Sequence, residues 1–474
     1  MHNSKLIAIL KTFSSKELRE FKDFVSSPFY NKNEELVHFY IYLKKSAPEF
    51  SFKKVERENA YASIFPGKKY DEKHLNYLMS FLLKLTEKYI GLKKYENKGI
   101  LADYHILEAC VERDLQKHYQ NLYQKSKSKL AKSHLRDANY YYQNYLLADV
   151  ADKHFQNQKI RRFDKNLQHA TNYFDLFYLS NKLKFNCEML DREKVLSVDY
   201  QHNMIDEVMD YLKNNDHDQY PSIAIYYQIF LSLTEKEGDV HFEKLKHLLL
   251  NHFHEIGNEE MKHMHLAALN FCIRKVRQKE NKYVEEAFNL FLKGIENRLL
   301  YENNHLSPWT FKNVVKLGLR LKRFDWTEQF ILEYQNHLDE EFRQNALHYN
   351  LADLYYYKKD LNKALTYLQK VEYSDVFYAL HSKVMLLKIY YELDEEEALF
   401  NLLASFRIYL KRNKLISNSV RETYQNFISI LTQIVKSDPK QIQTIKEKIV
   451  NTELLTDRAW LNKIFKNPKR KSFN

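Results

Sequence analysis

Apolar residues fall three and four positions apart for most of this chain, the spacing of helices with one buried face. Between Phe311 and Leu410 a longer order is added. Leu317, Gly318, Leu321, Phe330 and Tyr334 are followed 34 residues later by Leu351, Ala352, Tyr355, Ala364 and Leu368, and again by Met385, Leu386, Ile389, Ala398 and Leu402. Each set predicts a pair of helices. In the middle set Lys358-Lys359-Asp360 interrupts the pattern, which places Asp360 to accept from the free amides opening the second helix, and Asp394 recurs 34 residues on. Gly318, Ala352, Ala364 and Ala398 are small enough to let helix axes approach closely.

The first hundred residues read differently. Ser14 and Glu17 have capping-box spacing before a helix to about Val25 that carries Leu18, Phe21 and Phe24 on one side. Ser27-Pro28 ends it, Asn33 opens a helix to about Lys45, and a third runs from about Val55 to Phe65 before a Pro66-Gly67 turn. Asp71 caps a longer helix with Leu75, Leu78, Leu82 and Leu85 on its apolar face. From Ile100 to Glu188 come long helices rich in Tyr and Lys, where Tyr140, Tyr141, Tyr142 and Tyr145 cover more than one face and predict a surrounded helix. Hairpins continue to Leu300, and helices near 418–436, 440–450 and 457–465 close the far end.

The 34-residue order resembles the tetratricopeptide repeat family, over about three copies in 311–410. Phe330 and Leu386 stand where that family has a small residue, and no proline closes a copy, so the copies are divergent. The resemblance implies an all-α fold: a right-handed superhelical solenoid of antiparallel helix pairs, with residues 1–95 as an N-terminal helical cap module, 96–310 as irregular hairpins, and 311–474 as repeats with capping helices. No sheet is expected. It also implies a concave groove lined by first helices, to which Lys312, Val315, Leu319, Lys322 and Arg323 would contribute from the first copy. The second would offer Tyr349, Asp353, Tyr356 and Tyr357, and the third Lys383, Leu387, Tyr390 and Tyr391. Of the carboxylate clamp found in some members only Asn350 matches, which disfavours a receptor for chaperone tails.

Composition agrees with long helices and short connections. The chain has 474 residues but only 7 Gly and 7 Pro, and its glycines are isolated where a phosphate-cradling loop needs them clustered. Its 36 Tyr and 30 Phe suit helix seams, in which a ring is buried and the hydroxyl stays wet. Cys110, Cys187 and Cys272 are too scattered for a disulfide framework or zinc site and read as buried hydrophobes of a reducing compartment. The apolar stretch Leu6 to Leu10 is too short for a secretory signal, and no run approaches membrane-spanning length, so a cytoplasmic protein without membrane contact is expected.

The net charge of +12 is unevenly placed: residues 125–165, with ten Lys/Arg against four Asp/Glu, hold about half of it. Lys466, Lys469, Arg470 and Lys471 read as a solvated end. Of the histidines, His252, His254, His263 and His265 are densest, but residues two apart on a helix point away from each other, so neither pair reads as a metal site. No nucleophile stands in a strand-turn-helix setting. The sequence therefore reads as a non-catalytic, cofactor-free interaction scaffold that binds a protein partner. The alternative is a nucleic-acid-binding helical protein using 125–165.

Overall fold

The computed structural model describes residues 1–97, 99–159, 161–196, 198–236, 238–372, 376–436 and 442–466. Among these residues 23 α-helices carry the chain, with one small strand pair, so the fold is all-α. Lys440, Lys469, Arg470 and Lys471 lie outside the described residues. Packing divides the helices into two units, Met1–Asn181 and Lys182–Asn474.

The first unit opens with α1 (Lys5–Leu10), α2 (Ser15–Ser26), α3 (Glu34–Lys44), α4 (Arg57–Ile64) and α5 (Glu72–Glu96). Local chemistry starts them where expected. Ser14 and Glu17 form the reciprocal capping box of α2, Asn33 accepts from the Glu35 amide, and Asp71 accepts from that of His74. The five helices enclose Phe21, Phe39, Tyr40, Leu78 and Leu82, all fully buried, and the Tyr40 hydroxyl is satisfied by the Leu18 carbonyl at 2.6 Å. Next come α6 (Ile100–Glu112), α7 (Gln116–Ala131) and α8 (Ala138–Asn157). They share a second core around Leu107, Leu147 and Val150. Tyr141 is buried, Tyr142 meets Phe177 and Tyr145 meets Phe174, so α8 is surrounded as its tyrosine run predicts. The division between units falls within α9 (Asn166–Leu196).

The second unit continues with α10 (Ile205–Asn214), α11 (Pro221–Thr234), α12 (Gly238–Asn251), α13 (Asn258–Arg277) and α14 (Lys282–Glu296). Here the expectation of no sheet is corrected. Strands β1 (Tyr301–Glu302) and β2 (His305–Leu306) pair antiparallel across Asn303 and Asn304, whose φ values of 49° and 66° suit the left-handed two-residue turn that asparagine tolerates. Then follow α15 (Pro308–Arg320), α16 (Phe324–Tyr334), α17 (Glu340–Tyr357), α18 (Leu361–Leu368), α19 (Val376–Leu393), α20 (Glu396–Arg412), α21 (Asn418–Lys436), α22 (Ile442–Asn451) and α23 (Arg458–Lys466). Helix α15 packs on α17 and α17 on α19, while α16, α18 and α20 each pack on the helix before them.

One turn recurs between these helices. Lys279, Lys322, Lys359 and Asp394 all take left-handed φ, between 58° and 70°. The amide after each returns to a carbonyl five residues back: Glu280 to Lys275, Arg323 to Gly318, Asp360 to Tyr355 and Glu395 to Tyr390. This is the Schellman closure of a helix end, made here by lysine and aspartate instead of glycine. Asp394 is thus the turn residue, not the helix cap expected of it; the cap position falls to Glu395, whose side chain makes no capping bond. Asp360 does cap α18, accepting from the Lys363 amide.

Lys322, Lys359 and Asp394 are spaced by 37 and 35 residues, so these turns do not keep the 34-residue register. Counted from the turns, Thr327, Ala364 and Leu399 are the equivalent positions, and each is fully buried. Ala398, expected at a close approach, is only half-buried and Leu399 takes that place. Gly318 and Thr327 do meet tightly: a Cβ added at Gly318 would overlap the Thr327 hydroxyl.

Candidate functional site

A charged row occupies equivalent places in three of these helices. Six residues before the turns stand Lys316 in α15, Asp353 in α17 and Lys388 in α19, on the face these three helices share. Lys316 Nζ lies 2.6 Å from Asp353 Oδ2, and Lys388 Nζ lies 2.7 Å from Oδ1 of Asp457, the residue before α23. Asp353 is almost wholly buried while Lys316 remains part-exposed. Burial by itself would lower the Lys316 ammonium; the Asp353 carboxylate outweighs it and raises the pKa. For Asp457, burial pushes the carboxyl up, but Lys388 outweighs it and holds the group below its ordinary value.

Aromatic side chains frame this row. The Lys388 ammonium sits 4.9 Å from the Tyr356 ring centre and 5.9 Å from that of Trp460, a cation between two π faces. Trp460 Nε1 donates to Glu392 Oε1 at 3.0 Å, the Tyr356 hydroxyl donates to the same oxygen, and the indole stands edge-on to Tyr391 at 5.6 Å. Burial would raise the Glu392 carboxyl; those two donors offset it and lower the pKa. At the other end of the face Lys312 Nζ meets His381 Nδ1 at 3.1 Å and lies over the Tyr349 ring, which in turn contacts Tyr378. Helix α23 is therefore seated on the α19 part of this face by one ion pair, one indole hydrogen bond and a ring contact. Trp460, Leu461 and Ile464 complete its burial.

The sequence-predicted groove residues divide by burial. Lys312, Tyr349, Asn350, Asp353, Tyr356 and Tyr391 are buried between the helices. Asn350 is spent on its own helix, donating to the Ala346 carbonyl at 2.7 Å. Lys383 and Tyr390 are half-buried, Lys383 over the Tyr409 ring. Tyr357 is exposed. Lys322 is a turn residue, and Arg323 faces α14, paired with Glu285 at 2.6 Å, so neither lies on the shared face. The residues that sequence reasoning missed are Lys316, His381, Lys388, Glu392, Asp457 and Trp460. A register counted from the turns, not a fixed 34, would have aligned Lys316, Asp353 and Lys388.

The other candidates lie apart from this face. In the basic segment Lys153 is tied to Asp149 at 2.8 Å and Glu108 at 3.0 Å, and Arg136 bonds the Ser133 and Leu135 carbonyls. Lys125, Lys127, Lys129 and Lys132 are exposed on or just past α7, and Lys159, Arg161, Arg162 and Lys165 are exposed after α8. The histidines turn to separate partners: His252 to Glu255, His263 to Glu188, and His265 to the Leu290 carbonyl at 2.9 Å. His265 borders a cavity of about 440 Å³ lined by Leu249, Phe253, Met261 and Leu290. Burial pushes its imidazole down to about 4, only partly offset by that carbonyl. Gly294 makes room for the ring, since a Cβ there would stand 2.7 Å from His265 Nε2.

No described helix is long and apolar enough to cross a membrane. No protein-family model, curated protein or solved structure matches the chain.

Proposed function

We propose that this protein is a non-catalytic interaction scaffold of a divergent tetratricopeptide-like kind, a right-handed superhelix of antiparallel helix pairs that binds a helical segment of a protein partner on the face shared by α15, α17 and α19. The observation that carries the reading is that this face already holds a helix, α23, through Lys388–Asp457 and Trp460–Glu392. Seating a helix by a few anchors in a preformed groove is a general mode of peptide recognition. The recurring Schellman turn and the equivalent places of Lys316, Asp353 and Lys388 support the repeat reading. The free, buried thiols of Cys110, Cys187 and Cys272 suit the cytoplasm.

Affinity capture from a native lysate, with and without nuclease, tests the function. Retained proteins that withstand nuclease and moderate salt are expected. If everything retained disappears with nuclease and binding falls steeply with salt, the exposed lysines of 125–165 are the working surface and the chain binds nucleic acid.

A further inference from the structure

The helix seated on the shared face is fastened asymmetrically. Its polar anchors to α19 come from one end, Asp457 to Lys388 and Trp460 to Glu392, and they join residues 69 and 68 positions apart in the chain. Asp457 itself has φ of 50°, a left-handed conformation that costs a non-glycine residue strain and turns the chain sharply into α23. Arg458, the first residue of α23, bonds the Ile449, Val450, Thr452 and Glu453 carbonyls through its guanidinium, so the start of α23 is also tied to the end of α22. The α23 anchors are thus a carboxylate entering an ammonium cleft and an indole three residues later, laid against tyrosines.

Resting on the scaffold reading above, we propose that α23 is a resident substitute for the partner, and that the partner is a protein helix whose start carries an acidic residue followed three positions later by tryptophan. Exchange is favoured by what departure leaves behind. With α23 seated only 16% of the Lys388 side chain is exposed; once Asp457 withdraws it loses that carboxylate partner, and an incoming carboxylate restores the pair. The Glu392 carboxylate likewise regains the N–H donor it loses with Trp460. While α23 is seated, the competent state is a minor one and apparent affinity for the partner is reduced by its fraction.

The test uses the full chain and a fluorescein-labelled peptide with the sequence of residues 452–466, followed by anisotropy. Asp457→Asn and, separately, Trp460→Ala should raise peptide affinity at least about tenfold over the parent, because each lowers occupancy by the resident helix. Adding Lys388→Met to either should abolish the gain. Equal affinity in parent and both variants overturns the proposal, as does loss of the whole helical fold in the conservative Asp457→Asn chain, since α23 would then be a fixed part of the core. Failure here is separable from failure of the scaffold reading. Peptide exchange without any nuclease-resistant lysate partner leaves the seat and removes the scaffold, whereas lysate partners held equally by parent and Asp457→Asn remove the seat and leave the scaffold.

Discussion

The module Met1–Glu96 and the helices from α15 to α23 use similar residues toward different ends. In the first, aromatic rings turn inward on each other: Phe21 alone contacts Phe13, Phe24, Tyr40 and Tyr89. Its ion pairs are peripheral, such as Arg57–Glu72 with both side chains well exposed. In the second, rings stand beside charges, and Asp353 and Lys388 are taken out of water in pairs that join separate helices. A closed core gains most from apolar contact, and surface ion pairs add little to it. Buried pairs between helices cost desolvation that apolar side chains would avoid, and their placement on one face is what the proposed recognition would use.

The closed core is the more fragile of the two regions. Phe21→Ala should cost about 3 to 5 kcal/mol in denaturant melts, because the surrounding rings cannot collapse into the space. A loss under about 1 kcal/mol would mean the module is loosely packed. On the charged face, Lys316→Met should cost on the order of 3 kcal/mol by stranding the buried Asp353 carboxylate, at the low end for such pairs because Lys316 is part-exposed. Lys316→Met/Asp353→Leu should recover much of that loss; if the double variant is worse than the single, the pair contributes net stability and is not kept for recognition.

What could be read in advance follows from range. Ser14, Asn33, Asp71 and Asp360 were legible as caps because a cap needs only its next three residues. The turns were not, because Lys322, Lys359 and Asp394 occupy left-handed positions where glycine is the usual sign, and without them a fixed spacing of 34 misaligned Lys316 with its partners. Asn303-Asn304 was a hairpin signal, obscured by strands of only two residues each. Nothing local links Trp460 to Glu392 or Lys312 to His381; those meetings exist only once the helices have stacked.

Two smaller effects sharpen the picture of the second unit. His265 has a folded pKa of about 4, below the ordinary 6.5, so its neutral form is favoured by folding. Its contribution is complete above about pH 6.5 and is lost as pH falls toward 4, roughly 2 kcal/mol between pH 7 and 5. Denaturant melts at the two pH values should show this loss in the parent and not in His265→Gln; an equal response in both chains would place the acid sensitivity elsewhere. Ala364→Phe, at a fully buried seam between α17 and α18, should cost about 1 to 3 kcal/mol by overpacking. Lys363→Phe, one residue away and exposed, should stay within roughly 0.5 kcal/mol. Matching melts for the two variants would deny the seam.

Native-state hydrogen exchange read along the chain tests most directly whether the charged face is a seat that its own helix can leave. Amides of Arg458–Lys466 should exchange by local opening, on the order of a hundredfold faster than those of Phe427–Val435 in α21, with little dependence on added denaturant. Equal protection of the two segments, rising and falling together with global stability, would contradict the account and make α23 an inseparable part of the core.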